Sequence, residues 1–395
     1  MDYILITNSN FPGGGASANY LNLFCKGLKI NGDNIKVLLL TGFTFGKYGT
    51  EHKRKNITED GVSFCYLGSI NRPKNFFPKI LDEFVSSFNL IPQLFSIIPK
   101  RKTTKLLIYN SEFHSNIIIY LFARLFFIKI VTFVPEYYGK YVFEGSFLRK
   151  LKWYGFLFNF WVINKLSYKL IVFSHYLKTQ YINQGISESN IIVQPNLTDF
   201  DYWEIKNSIV NYTLGYSGSP SIKDGLHDLF KAVSILKKDG IHASLMVIGD
   251  TPNGHSLLPD LKVECEKLNI TENVCFSGLV ELPEVKRLLS ECKILTLTRP
   301  STVQTQAGFP TKLGEYFASK KKVLVTNFGD IEKYFTKGKD LVIAESGNVE
   351  DIAQKIKWMI QKDADAEIIA HAGYHRAKLL LEYKSSIKRI AAIIG

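Results

Sequence analysis

Residues 3–7, Tyr-Ile-Leu-Ile-Thr, make a short unbroken apolar run, as expected of a strand covered on both faces. The run stops at Asn8 and enters Phe11-Pro12-Gly13-Gly14-Gly15-Ala16-Ser17. Leu21, Phe24, Cys25 and Leu28 then recur at i, i+3, i+4 and i+7, one apolar face of a helix. Residues 35–40 read as the next strand. Strand, glycine turn, helix and strand make a βαβ unit, which predicts a parallel sheet. Further strands are expected at 105–109, 130–133 and 170–173. The same order restarts near Tyr212: a strand at 212–217, the turn Gly218-Ser219-Pro220-Ser221, a helical stripe through Leu226, Leu229, Phe230 and Val233, and a strand at 244–248. Strands at 274–277, 294–298, 322–326 and 341–344 continue it, and Ile387, Ile390, Ala391 and Ile394 stripe a last helix. The fold class is therefore α/β, with two doubly wound parallel-sheet halves joined around residues 195–211 and a cleft between them as the expected ligand site.

Length and composition agree. The 395 residues suffice for two domains with their own cores, and 46% hydrophobic with 22% charged residues excludes a disordered or collagenous chain. The charge adds something the pattern lacks. Residues 1–200 hold 23 basic and 12 acidic side chains, net +11, whereas the rest hold 26 and 24, net +2. The first half should face something anionic. Five scattered cysteines without a CxxC point to a reducing compartment, with neither disulfides nor a zinc site. The start, Met1-Asp2-Tyr3-Ile4-Leu5, reads as a strand and not as a signal peptide. Residues 117–134 contain Arg124 and Lys129, and 153–163 are about a dozen residues where a membrane span needs about 20. The expectation is a cytoplasmic protein that crosses no membrane; lying on one stays open.

Three features carry candidate chemistry. Gly13-Gly14-Gly15, between a strand end and a helix start, lets backbone approach a ligand, and the free N–H groups favour an anion. It is not GxGxxG, and a plain tight turn is the alternative. In Gly218-Ser219-Pro220-Ser221-Ile222-Lys223-Asp224-Gly225 a lysine beside a helix start suits a phosphate, or is an ordinary surface lysine. The third feature runs from Arg299-Pro300 through a polar loop at 301–306 to Ala307-Gly308-Phe309-Pro310-Thr311-Lys312-Leu313-Gly314-Glu315-Tyr316. Thr311 is expected to cap a helix whose first turn holds Lys312 and Glu315. A carboxylate there can accept both hydroxyls of a ribose while Lys312 and the helix start face a diphosphate; alternatively it only complements the helix dipole, worth about 0.3–1 kcal/mol.

These residues, with Val172-Phe173-Ser174-His175-Tyr176-Leu177, the hinge Val193-Gln194-Pro195-Asn196-Leu197-Thr198-Asp199, Val247-Ile248-Gly249-Asp250, Phe276-Ser277-Gly278 and Lys321-Lys322-Val323-Leu324-Val325-Thr326-Asn327, resemble the family 4 retaining glycosyltransferases over essentially the whole chain. The resemblance implies the GT-B fold, two Rossmann-like domains: 1–204 facing acceptor and membrane, 205–376 binding the nucleotide-sugar, and 377–395 a helix crossing back to the first. It implies that Glu315, matching the second glutamate of the E-x7-E signature, holds the donor ribose, and that Lys223 contacts the diphosphate beside Gly218. Gly14 and Gly15 would lie under the transferred sugar and phosphates. The backbone around Ser277 and Gly278 would meet the nucleobase, and Lys312 and Leu313 would complete the donor site. Ala307 replaces the first signature glutamate and Ser219 the arginine after the second turn, so Arg299 and Lys312 are the candidates for the missing charge. Where the family places a catalytic histidine the chain reads Phe133-Val134-Pro135-Glu136; Glu136 stands in that place, with His114 the other nearby candidate. Glu136, Lys223, Arg299 and Lys312 are thus the expected catalytic residues, with no metal and no cofactor beyond a UDP- or GDP-sugar donor.

Other patterns lead elsewhere. Asp199-Phe200-Asp201 looks like a metal-binding DxD but reads as hinge, and His371 with His375 lacks the glutamate of HExxH. Residues 72–79 and 149–154 interleave cations with aromatics, which suits an anionic membrane surface or single-stranded nucleic acid, or is ordinary surface and core; no nucleic-acid motif accompanies them, and the membrane is the favoured reading. The expected activity is transfer of a hexose-type sugar onto a lipid-linked or oligosaccharide acceptor in surface polysaccharide, lipopolysaccharide, capsule or glycolipid assembly. The alternatives are a non-catalytic nucleotide-binding subunit or a nucleotide-sugar epimerase.

Overall fold

The computed structural model describes residues 1–43, 53–145, 147–205, 209–220, 222–251 and 256–395. Residues 1–197 and 383–395 form one unit and 198–382 another.

The strands of the first unit are β1 (Asp2–Thr7), β2 (Asn34–Leu39), β3 (Lys55–Ile57), β4 (Ser63–Tyr66), β5 (Thr104–Tyr109), β6 (Lys129–Val134), β7 (Lys169–Val172) and β8 (Ile191–Val193). They lie in the order β3-β4-β2-β1-β5-β6-β7-β8, and all pairs are parallel except β3 with β4. Strand periodicity divides the core. Tyr3, Leu5, Leu107 and Tyr109 face a layer built with Tyr20, Phe24 and Ile387, whereas Ile6, Leu106 and Ile108 face Leu90, Leu94 and Ile119. The helices Ala16–Ile30 and Tyr383–Ile394 cover the first face. They meet at Gly27, where a Cβ would stand 2.7 Å from Ile387.

In the second unit β9 (Tyr212–Ser217), β10 (Leu245–Ile248), β11 (Val274–Phe276), β12 (Cys292–Leu297), β13 (Lys322–Thr326) and β14 (Val342–Ala344) form an all-parallel sheet in the order β11-β10-β9-β12-β13-β14. This is a doubly wound order, and it reverses between β9 and β12. At such a reversal the flanking connections diverge and leave a crevice at the carboxyl ends of the strands. The corresponding reversal in the first sheet lies between β1 and β5.

The units divide a little differently from the sequence reading. The segment around the short helix Phe200–Trp203 packs with the second unit because Phe200 and Trp203 are buried in its core. The helix Asp363–Leu381 also belongs there through Ala377 and Leu381, so the element that returns to the first unit starts at Tyr383, not at 377. Asp199, the first residue of the DxD, caps the helix Phe200–Trp203: its Oδ1 accepts from Tyr202 N at 3.0 Å. Among the described residues no helix is long and apolar enough to cross a membrane.

Candidate active site

The β9–β12 reversal puts two loops side by side, and chemistry collects there. β9 ends at Ser217, whose N–H donates to the hydroxyl of buried Tyr316 at 2.8 Å. Gly218 follows with φ +121, a conformation L side chains rarely adopt, and a Cβ on it would lie 2.2 Å from Lys312 Cε. Glycine there is what admits the lysine stem. The turn closes through Gly225 (φ +71), where a Cβ would stand 1.8 Å from Thr298 O, while Thr298 Oγ1 donates to Gly225 O at 2.8 Å. The loop after β12 is thereby clamped to the loop after β9.

Inside the clamp sits Asp224, 2% exposed. Its Oδ1 accepts from Arg299 Nε at 2.9 Å and pairs with the same guanidinium at 2.7 Å. Lys312 Nζ reaches its Oδ2 at 3.1 Å. Lys312 also donates to Tyr216 Oη at 2.8 Å and lies 4.4 Å from the Tyr216 ring centre. The Tyr216 hydroxyl is 2.9 Å from Ser219 O and 3.1 Å from Asp224 Oδ2, alternative acceptors for its one proton. Burial works to raise the Asp224 carboxyl, but Lys312 and Arg299, with Lys223 adding a smaller share, hold it well below the usual carboxylate range. Burial and the nearby Arg299 pull Lys312 down to about 8 despite Asp224. Three cations surround one carboxylate, so the array carries an excess of two positive charges, and its arginine and lysine are fixed before any ligand arrives. Such preorganisation is what stabilises a diphosphate leaving group.

Lys312 and Glu315 lie on the helix Thr311–Ala318. Thr311 does not cap it: Pro310 holds that position without a side-chain bond, and the capping threonine is Thr302, on the preceding helix Val303–Ala307. The N-cap of the Lys312 helix thus adds no side-chain bond among the described residues, although Leu313 N reaches Pro310 O at 3.3 Å and the Leu313 side chain is core. Glu315 is half-buried, and burial pushes its carboxyl up to about 7 against a small opposing pull from Lys312. A carboxylate held out of water in this way gains from two hydroxyl donors such as those of a ribose.

The neighbouring strands bring further backbone to this edge. Gly249 after β10 sits against Gly218, its would-be Cβ 2.9 Å from Gly218 O. After β11, Ser277 Oγ accepts from Gly249 N at 3.2 Å and donates to Gly278 O at 2.8 Å; Gly278 has φ +69, and a Cβ on it would meet nothing within 4 Å among the described residues. Past β13 and β14 a hollow lined by Asn327, Glu332, Lys337, Glu345, Asn348 and Asp351 opens. Its acidic lining disfavours a diphosphate, and Glu332 and Glu345 are already bonded to Asn327 and Asn348 at 2.8 Å.

In the first unit the glycine turn follows β1. Gly14 (φ +137) would place a Cβ 2.9 Å from Asn10 Cβ; among the described residues a Cβ on Gly15 would meet nothing within 4 Å, and Gly15 precedes the helix Ala16–Ile30 without a side-chain cap. Asn22 Nδ2 pins the turn at Pro12 O, 2.9 Å. Glu136 follows β6 and accepts from Tyr138, whose hydroxyl burial pushes up, with the carboxylate adding to it. Glu136 also acts on Tyr109, whose hydroxyl is 3.4 Å from Ser17 Oγ in the first turn beyond the glycines. His114 instead packs on Phe84, rings 6.1 Å apart.

The structure thus gathers Gly218, Lys223, Arg299, Lys312 and Glu315 at one edge of the second sheet, and Gly14, Gly15 and Glu136 at one edge of the first. Sequence reasoning missed Asp224 and Tyr216. The available signal was an aspartate in a turn otherwise suited to an anion.

Comparison with known proteins decides the second unit. Residues 205–376 match the family described as glycosyl transferases group 1. The second unit thus contains a stretch similar to the group 1 glycosyl transferases. Its boundaries enclose the whole Asp224 cluster. The capsular polysaccharide biosynthesis glycosyltransferase CapM of Staphylococcus aureus is 24% identical over 224 residues, covering 53% of this chain and 56% of CapM; the match spans about half of that curated relative. Among solved structures, HepE of Anabaena in complex with UDP aligns over 100% of this chain and 99% of its own at TM-score 0.70 and 14% identity. A glycosyltransferase of Rickettsia africae aligns over 99% and 97% at TM-score 0.71 and 16% identity. The fold of the chain is that of the GT-B glycosyltransferases.

Proposed function

We propose that the protein transfers a sugar from a UDP- or GDP-sugar, with retention and without a metal, to a lipid-linked or oligosaccharide acceptor in surface polysaccharide or glycolipid synthesis at the cytoplasmic face of a membrane. The observation that carries this is the buried Asp224 holding Arg299 and Lys312 at the switch point of the second sheet, within the stretch similar to the group 1 glycosyl transferases. CapM, named for capsular polysaccharide biosynthesis, and HepE, solved with UDP, support the donor class and the setting.

In the reaction the bond from the sugar's anomeric carbon to the diphosphate oxygen breaks, and a bond from the acceptor hydroxyl oxygen to that carbon forms on the same face. The acceptor's proton passes to the departing phosphate oxygen, so no protein nucleophile is required. Arg299, Lys312 and Lys223 oppose the charge that develops on the diphosphate, where one preorganised donor is worth about 3–4 kcal/mol. Glu315 holds the ribose diol, and Glu136 orients the sugar. The test is nucleotide release from a panel of UDP- and GDP-sugars with membrane extract and a chelator, comparing the wild type with Glu315→Ala and reading the product's anomeric configuration by NMR. One donor turned over with retention, and lost in the variant, is expected; inversion or an absolute need for added divalent metal overturns the mechanism.

One observation favours a second reading. Ala307 is fully buried and places a methyl group where the family signature has a carboxylate. A subunit that binds the nucleotide but turns over no donor would fit it, and tight UDP binding without release from any donor would select it.

A further inference from the structure

The helix Phe76–Phe95 of the first unit is turned the wrong way round for an element that meets only water. Its polar Asp82, Ser86 and Ser87 are buried: Asp82 Oδ1 accepts from Ser69 N and Oγ, both at 2.7 Å, and Ser87 Oγ lies 3.0 Å from Ser115 Oγ on the helix Phe113–Leu125. Its outer face carries Phe77, Leu81, Phe84 and Phe88 at i, i+4, i+7 and i+11, with Phe77 81% and Phe88 67% exposed. The next two helices repeat the arrangement. Ile117, Leu121 and Leu125 stripe Phe113–Leu125, the last two 67% and 70% exposed, and Phe147, Leu151, Tyr154 and Phe158 stripe Phe147–Trp161. The helices are neighbours: Phe95 meets Phe122 at 5.5 Å, and a Cβ on Gly155 would stand 2.8 Å from Phe113 Cδ1. Three neighbouring apolar stripes exceed the scattered exposure normal for a soluble surface.

Charge chooses the occupant. Residues 72–165 hold 14 basic and 5 acidic side chains, net +9. Lys79 on the first of these helices feels Arg72 just before it and Lys152 on the third, opposed by Glu83 and Glu112. Arg72 pairs with Glu83 at 2.7 Å, yet its buried Nε has no partner among the described residues. Burial, then Arg72 and Lys152, hold the Lys79 ammonium below its usual range, as expected of cations gathered with too little counter-charge.

We propose that this three-helix face docks on a bilayer of anionic phospholipid, its stripes entering the acyl boundary while Arg72, Lys79 and Lys152 bind lipid phosphates. The inference rests on the reading of the chain as a transferase at a membrane and names the surface that brings it there. The test is co-sedimentation of the full chain with vesicles of phosphatidylcholine alone or mixed with phosphatidylglycerol, beside UDP binding measured in solution. The wild type should pellet with the mixed vesicles. Phe77→Ser/Phe84→Ser/Leu121→Ser/Phe147→Ser should stay in the supernatant with unchanged UDP affinity. Lys79→Ala and Lys152→Ala should each weaken binding to the mixed vesicles about fivefold, as for about 1 kcal/mol per charge near the surface. A wild type that ignores both vesicles, a quadruple variant that still pellets, or a wild-type dimer that the quadruple variant dissociates overturns the proposal. Vesicle binding that persists while no nucleotide binds would overturn the transfer reading instead.

Discussion

The two units solve opposite electrostatic problems. The first holds 26 basic and 11 acidic residues, net +15; the second holds 23 and 25, net −2. Yet the most rigidly held cluster of cations is in the second. There Arg299 and Lys312 keep side chains only 12% exposed and are fixed by one buried carboxylate. In the first unit most cations near the helical face are in water, among exposed aromatics. Net charge describes which surface is drawn to which partner over distances of about a Debye length, while specific recognition depends on how few charges are held how rigidly.

That contrast is most easily broken at Asp224. Asp224→Asn should cost about 3–5 kcal/mol of stability in denaturant titration, because two cations lose a buried partner. It should also move the alkaline limb of UDP binding to lower pH, since the carboxylate opposes the downward pull that burial and Arg299 exert on Lys312. A variant as stable as the wild type would make the cluster no more than a surface ion pair. Next, Lys312→Met should weaken UDP binding by about 1.5–3 kcal/mol, the range of a hydrogen bond to a charged group, read by calorimetry. UDP affinity in the wild type should be bell-shaped with pH. It rises as Glu315 ionises through about 7 and falls as Lys312 loses its proton through about 8.

Glu315→Gln sharpens the comparison by separating function from stability. The folded carboxyl sits above its ordinary value of 4.5, so its favourable contribution is complete below that value and is lost as pH rises through about 7. The glutamine variant should therefore gain thermal stability over the wild type at pH 8 more than at pH 4, while losing the acid limb of UDP binding. The smallest effect belongs to the first unit: Leu121→Ser alone, at a site 67% exposed, should change stability by less than about 0.5 kcal/mol.

Much of the doubly wound pattern was legible because buried strands such as 3–7 and 212–217 are unbroken apolar runs and the helices repeat at 3.6 residues. β3 and β4 were not, since three and four residues at an edge, with Lys55 and Asn56 among them, carry too little pattern. At the site, Lys312 and Glu315 stood out as residues of one helical turn, and Arg299 by its lone charge after an apolar strand. Asp224 was hidden because its meaning comes from Arg299, 75 positions away, and Lys312, 88 positions away. The outward apolar stripe of Phe76–Phe95 was equally ambiguous: its periodicity is that of a core-facing helix, and only the burial of Asp82, Ser86 and Ser87 shows which side faces out.

The helix Tyr383–Ile394 packs on Ala16–Ile30 across the bare Gly27. On the ribosome, a segment made near the start of synthesis must therefore wait through the whole second unit for its covering partner. Tyr20, Phe24 and Leu28 line the layer that Ile387 and Ile390 complete. Until those residues emerge, the nascent first unit has an open seam of aromatic and aliphatic side chains that a chaperone could recognise, while residues 198–382 already hold everything their own core requires.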